Sequence, residues 1–163
     1  MNAILRPKTI AVCVSLKDES EMEELKHLAN SNLFENADIH LVHVFKKNLY
    51  FNELTPYNFP DESNFETIES TVQEILANFS KNIIPQSSLS KVTCHCLLNT
   101  DPKQRLVTFL TDIKADLVIS SIRQNHGIEG VFTSSFTEYL CKFAPCDVYV
   151  VKHRLGLAKN LTL

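Results

Sequence analysis

The chain has 163 residues, 44% of them apolar and 21% charged, which fits one globular domain around one core. A net charge of −3 supplies no long-range field for nucleic acid or an anionic membrane, and no apolar run reaches the about 18 residues that would span a bilayer. Met1 to Lys8 carries two basic residues but no apolar segment with a small-residue cleavage site, so the expected location is the cytoplasm.

Five cysteines, Cys13, Cys94, Cys96, Cys141 and Cys146, lie mostly inside apolar segments. They read as small buried hydrophobes rather than as a disulfide framework. Glycine occurs only at 127, 130 and 156. Phosphate-cradling loops need glycine for φ > 0 and for close backbone approach to the anion. With no GxxxxGK[ST] and no GxGxxG, a P-loop NTPase and a dinucleotide-binding domain are both disfavoured.

Apolar runs alternate with helical patterns along the chain, as βαβ units and a parallel sheet require. Thr9 to Val14 is a nearly continuous apolar run and reads as a central strand buried on both faces. Asp18 to Asn32 has an amphipathic helical period, and Ile39 to Phe45 is a second strand. Residues 46–60 hold aromatic residues and prolines without a clear period and read as a long loop. Asp61 to Ile84 is a long amphipathic helix, ended by Pro85.

Val92 to Leu98 is the third strand. Asp101 then reads as an N-cap with Pro102 at the first helical position, opening a helix to about Lys114. Asp116 to Ser121 is the fourth strand. Ser135-Phe-Thr-Glu138 has the capping-box pattern and is expected to open the last helix. Val148 to Val151 closes the set as a fifth strand. Val12, Val14, Leu41, Val44, Val118, Ile119, Leu140 and Val150 are the expected core.

Three segments narrow the fold. Ala115-Asp-Leu-Val-Ile-Ser-Ser121, Ser134-Ser-Phe-Thr-Glu-Tyr139 and Ala144-Pro-Cys-Asp-Val-Tyr-Val-Val151 together resemble the C-terminal half of the universal stress protein family. That half reads A-D-L-I-V-I-G, G-S-V-S-E-Y and A-P-C-P-V-L-V-V. Ile39-His-Leu-Val-His-Val44 is similar to the family's second strand, and Asp101-Pro102 to its G-D-P turn. The resemblance implies an α/β fold with an open five-stranded parallel sheet, order 3-2-1-4-5, and helices on both faces, of the adenine nucleotide α-hydrolase-like kind. The first 155 residues would form this domain and 156–163 a C-terminal tail. The resemblance also implies a homodimer through the last strand, whose apolar edge lacks charged protection.

In that order the first and fourth strands meet where the winding reverses, and a ligand crevice is expected at their carboxyl ends. Nucleotide-binding members of the family carry an Asp after the first strand, then Gly, two residues, Gly, nine residues and Gly-Ser/Thr after the fourth. In the gapless register Ser15 takes the Asp position, and Ser121, Gln124 and Ser134 take the three glycines. Ser135 alone matches. A register shifted to Gly127 and Gly130 would place Leu140 at the third glycine and fails. The resemblance is therefore to the branch without the ATP-binding glycine motif.

Ser15, Val44, Ser121, Arg123, Gln124, Ser134 and Ser135 are the candidate residues of a degenerate nucleotide or anion site, with Val44 beside the adenine pocket. The plain alternative reads Ser134 and Ser135 as helix N-caps and Ser15 as a strand-end residue. Cys94-His-Cys96 invites a metal reading. On a strand, however, His95 faces away from the two thiols, and a structural zinc site wants about four ligands. No metal, cofactor or catalytic residue is expected. Three functions compete: a non-catalytic dimeric stress-response or regulatory module, an ATP- or AMP-binding sensor with an altered phosphate loop, and an enzyme of the related nucleotide-binding superfamily. The missing Asp and glycines favour the first over the second, and the lack of an acid–base pair disfavours the third.

Overall fold

In the computed structural model, residues 6–16, 20–30, 33–52, 55–59, 62–84, 91–122 and 130–152 are described. The apolar run at the start forms β1 (Thr9–Cys13), followed by α1 (Ser20–Ala29) and β2 (Asp38–Lys46). After β3 (Asn48–Asn52) and β4 (Thr55–Phe59) come α2 (Glu62–Ile83), β5 (Val92–Asn99) and α3 (Pro102–Asp112). The chain continues through β6 (Leu117–Ile122), α4 (Gly130–Phe143) and β7 (Asp147–Lys152).

Five strands form one sheet in the order β5-β2-β1-β6-β7, every pairing parallel. This is the expected 3-2-1-4-5 order once β3 and β4 are set aside. β1 takes the centre because its residues are apolar on both sides. Ile10 and Val12 enter one core cluster, with Leu41, Ile119 and the α1 and α2 side chains Leu25, Val72 and Leu76. Ala11 enters the other, with Val42, Val118 and the α3 and α4 side chains Leu106, Leu110 and Leu140.

Six of the eight expected core residues are buried: Val12, Val14, Leu41, Val118, Ile119 and Leu140. Val44 and Val150 are half-buried. On β7 it is Val151 that is buried, packed in the α1–α2 cluster. Strand alternation puts Val150 on the side of Val148, at the sheet margin.

Two elements depart from the sequence reading. Within 46–60, where a loop was expected, β3 and β4 pair antiparallel as a separate two-stranded sheet, with Tyr50 opposite Tyr57 and Phe51 opposite Pro56. Aromatic residues favour strands, and a two-stranded ribbon tolerates Pro on an outer edge. The last helix begins at Gly130 rather than at Ser135. Phe132, Phe136 and Leu140 recur every four residues, so the helical period starts before the capping-box pattern and overrides it. The 156–163 tail lies outside the described residues.

The α3 termini show how locally the chain is determined. The Asp101 carboxylate accepts from the Lys103 and Gln104 N–H groups, both at 3.1 Å, with Pro102 in the first turn. At the other end Lys114 has φ 51°. Its N–H bonds to the Thr111 carbonyl, and the Ala115 N–H to the Leu110 carbonyl. This is the Schellman pattern, built on Lys where glycine is usual.

Candidate functional site

β1 lies between β2 and β6, so the winding reverses beside it. The register pairs Val12 with Leu41 on one side and with Ile119 on the other. Ser15 follows the end of β1, and Ser121 stands two residues beyond Ile119 on β6. The fold thus brings these two half-buried serines to the same end of adjacent strands. That end of the sheet is where the winding reverses, the place where open α/β sheets form a ligand crevice.

The backbone before Ser15 is held closely. The Val14 N–H donates to the Val42 carbonyl at 2.9 Å. The Val14 carbonyl accepts from His43 Nδ1 at 2.7 Å. A carbonyl only accepts, so this contact puts a proton on Nδ1. The His43 ring packs edge-on against Phe45, centroids 4.6 Å apart. His43 is therefore engaged in positioning the end of β1.

Val44 sits on the other face of β2, opposite Leu97 in the register, and packs against the α3–α4 core cluster. Arg123 and Gln124 lie outside the described residues. Ser134 and Ser135 fall in the second turn of α4, not at its N-terminus, and their side chains lie outside the described residues. The N-cap expectation for this pair is corrected by the start of the helix at Gly130.

Sequence reading missed a polar pair beneath this end of the sheet. Ser120 and Thr137 are 4% and 3% exposed, and their hydroxyl oxygens lie 3.4 Å apart. The contact ties β6 to α4. Its only signal in the sequence is a hydroxyl at an inward position of each element.

A larger feature lies elsewhere. A cleft of about 620 Å³ opens along β5, at the sheet edge, with walls from α2 and α3. His95 and Arg105 line it. On the α3 face, His95 also stacks on His40, with Nε2 2.9 Å from His40 Nδ1. Burial pushes both imidazoles below the usual histidine value. His95 is lowered further by His40, while the Asp38 carboxylate partly offsets the effect at His40. Burial raises the thiols of Cys94 and Cys96, the latter to about 11 with help from Glu69, so neither is a ready thiolate. Among the described residues no three His, Cys, Asp or Glu side chains gather as a metal site, and no helix is long and apolar enough to cross a membrane.

A model of the universal stress protein family matches residues 7–152. A universal stress protein of Methanocaldococcus jannaschii is 26% identical over 159 residues, covering 93% of this chain and 89% of its own. Among solved structures, the universal stress protein UspA of Lactobacillus plantarum superposes with a TM-score of 0.65 at 17% identity, over 90% of this chain and 98% of its own. The universal stress protein of Archaeoglobus fulgidus in complex with dAMP gives a TM-score of 0.56 at 16% identity, over 89% and 98%.

Proposed function

The chain belongs to the universal stress protein family, and from that membership we propose that it is a non-catalytic, cytoplasmic stress-response or regulatory module, dimeric, with a degenerate nucleotide site. One observation carries the reading. Ser15 lies just beyond the end of β1 at the switch point, and Ser121 lies at the same end of the adjacent β6. Neither offers the carboxylate or the bare glycine backbone that the family's nucleotide-binding pattern places there. Losing a charged hydrogen bond to ribose costs about 1.5–3 kcal/mol. A side chain where the phosphate loop needs φ > 0 costs about 1–2 kcal/mol more.

Titration calorimetry with Mg-ATP tests this. Binding weaker than about 10 μM is expected, and tighter binding overturns the reading. Ser15→Asp combined with Ser121→Gly, Gln124→Gly and Ser134→Gly should raise the affinity. The second reading, an ATP- or AMP-binding sensor with an altered phosphate loop, has the dAMP complex of the Archaeoglobus fulgidus relative in its favour. The same titration separates the two.

The dimer would form through β7. This strand closes one edge of the sheet, and Tyr149 on it is 46% exposed. Apolar surface beside an open strand edge favours pairing with a second copy. Val150→Lys should convert the dimer to a monomer in sedimentation. A wild-type protein that is monomeric at about 10 μM would refute the dimer.

A further inference from the structure

The cleft along β5 has an unusual lining. His95, Cys96, Leu97, Leu98, Asn99 and Thr100 all contribute to it. Consecutive strand residues point to opposite faces, so a cleft that touches every one of them runs along the strand edge, not across a face. Its walls are helical: Phe65, Glu69 and Gln73 of α2 on one side, Arg105 of α3 on the other.

The direction of the backbone groups follows from one hydrogen bond. The Asn99 carbonyl accepts from the Lys47 N–H at 2.8 Å, so Asn99 turns toward β2. In a parallel ladder alternate residues turn both their N–H and C=O the same way. His95 and Leu97 therefore serve the β2 ladder, while Cys96 and Leu98 turn theirs outward into the cleft. Neither has a hydrogen-bond partner there among the described residues. Cys96 is only 5% exposed, as the floor of a trough would be, and the outward backbone groups of Cys96 and Leu98 offer an incoming strand a ladder to pair with.

We propose that the β5 edge is a docking site for an extended acidic peptide segment of a partner protein, added as a sixth strand. The lining run of β5, His95 to Asn99, spans about 16 Å at the strand rise, and the cleft holds about 620 Å³. Charge selects the occupant. Lys47 and Arg105 bring two positive charges to the carboxyl end of the trough against Glu69 on the α2 wall. Neither cation has a carboxylate within 4.0 Å among the described residues. A second copy of the chain is disfavoured because it would bring its own α2 and α3 against these walls, whereas a bare strand enters between them. Main-chain pairing supplies the affinity and the basic end fixes the placement.

Amide exchange by NMR, with the peptides Glu-Val-Thr-Val-Thr-Val-Glu and Lys-Val-Thr-Val-Thr-Val-Lys as probes, tests the site. At about 1 mM the acidic peptide should slow exchange at the Cys96 and Leu98 amides about tenfold, and the lysine peptide should not. The His95 and Leu97 amides, already in the β2 ladder, stay protected throughout and report an intact sheet. Lys47→Glu with Arg105→Glu should reverse the preference between the peptides. No protection by the acidic peptide, equal protection by both, or the same protection from inorganic phosphate alone overturns the proposal. Protection in the free protein that grows with its own concentration also overturns it, in favour of a second copy.

Discussion

His40 Nδ1 lies 2.9 Å from His95 Nε2 between β2 and β5, with the two rings stacked at a centroid distance of 5.1 Å. One hydrogen serves this contact, so a doubly protonated pair loses it and brings two like charges together. Phe109 of α3 packs against both rings, 6.2 Å from His40 and 4.8 Å from His95. The charged group acting on the pair is Asp38 on β2, itself 3.8 Å from Lys91.

A pH dependence follows. Both histidines titrate below the ordinary 6.5 in the folded chain, so the unfolded chain binds more protons as pH falls. The pair's contribution is complete above the unfolded value and is lost as pH falls through the lowered folded values. Urea denaturation should show a lower midpoint at about pH 5.5 than at about pH 7.5. His40→Val with His95→Leu should flatten that dependence. An unchanged slope in the double variant would assign it to other groups.

The Asp101 cap is testable alone. Asp101→Ala removes the acceptor of two backbone N–H groups and should cost about 1 kcal/mol. Asp101→Asn keeps a capping oxygen and should be close to neutral. Thermal melts of the two variants check the difference, with Tm falling roughly 2–4 °C for the alanine variant.

Lys114 predicts a gain. It holds φ 51° at the end of α3, a region that costs a residue with a Cβ about 1–2 kcal/mol. Lys114→Gly should stabilise the protein by roughly 1 kcal/mol, less what glycine's looser unfolded chain takes back. An upward shift of the urea midpoint is the expected reading, and a fall would contradict the Schellman assignment.

The buried hydroxyl pair should behave non-additively. Thr137→Val leaves Ser120 without its partner in the core and should cost about 1–3 kcal/mol. Ser120→Ala with Thr137→Val removes both groups and should recover much of that loss. A double-mutant cycle in urea measures the coupling directly.

Burial sets the scale for the core. Leu106 is fully buried between α3 and the sheet, so Leu106→Ala should cost about 2–5 kcal/mol. Ile75, 45% exposed on α2, should tolerate Ile75→Ser within about 0.5 kcal/mol. Equal effects at the two positions would mean that the packing is not as described.

What the sequence determined by itself is whatever depends on neighbours in the chain. The apolar run of β1, the Asp101-Pro102 opening of α3 and the strand–helix alternation are local, and the parallel sheet follows from them. Ser15 and Ser121 could be placed at one crevice because strand order decides that, and strand order was legible through the family resemblance. Tertiary structure decided the rest. His40 and His95 are 55 positions apart and meet only through the β2–β5 register. Val151 rather than Val150 is buried because one face of β7 lies against the α1–α2 cluster. The β3–β4 pairing joins two short segments whose lack of period concealed it. The trough at β5 exists because two helices rise on opposite faces of an edge strand, an arrangement no single stretch of sequence contains.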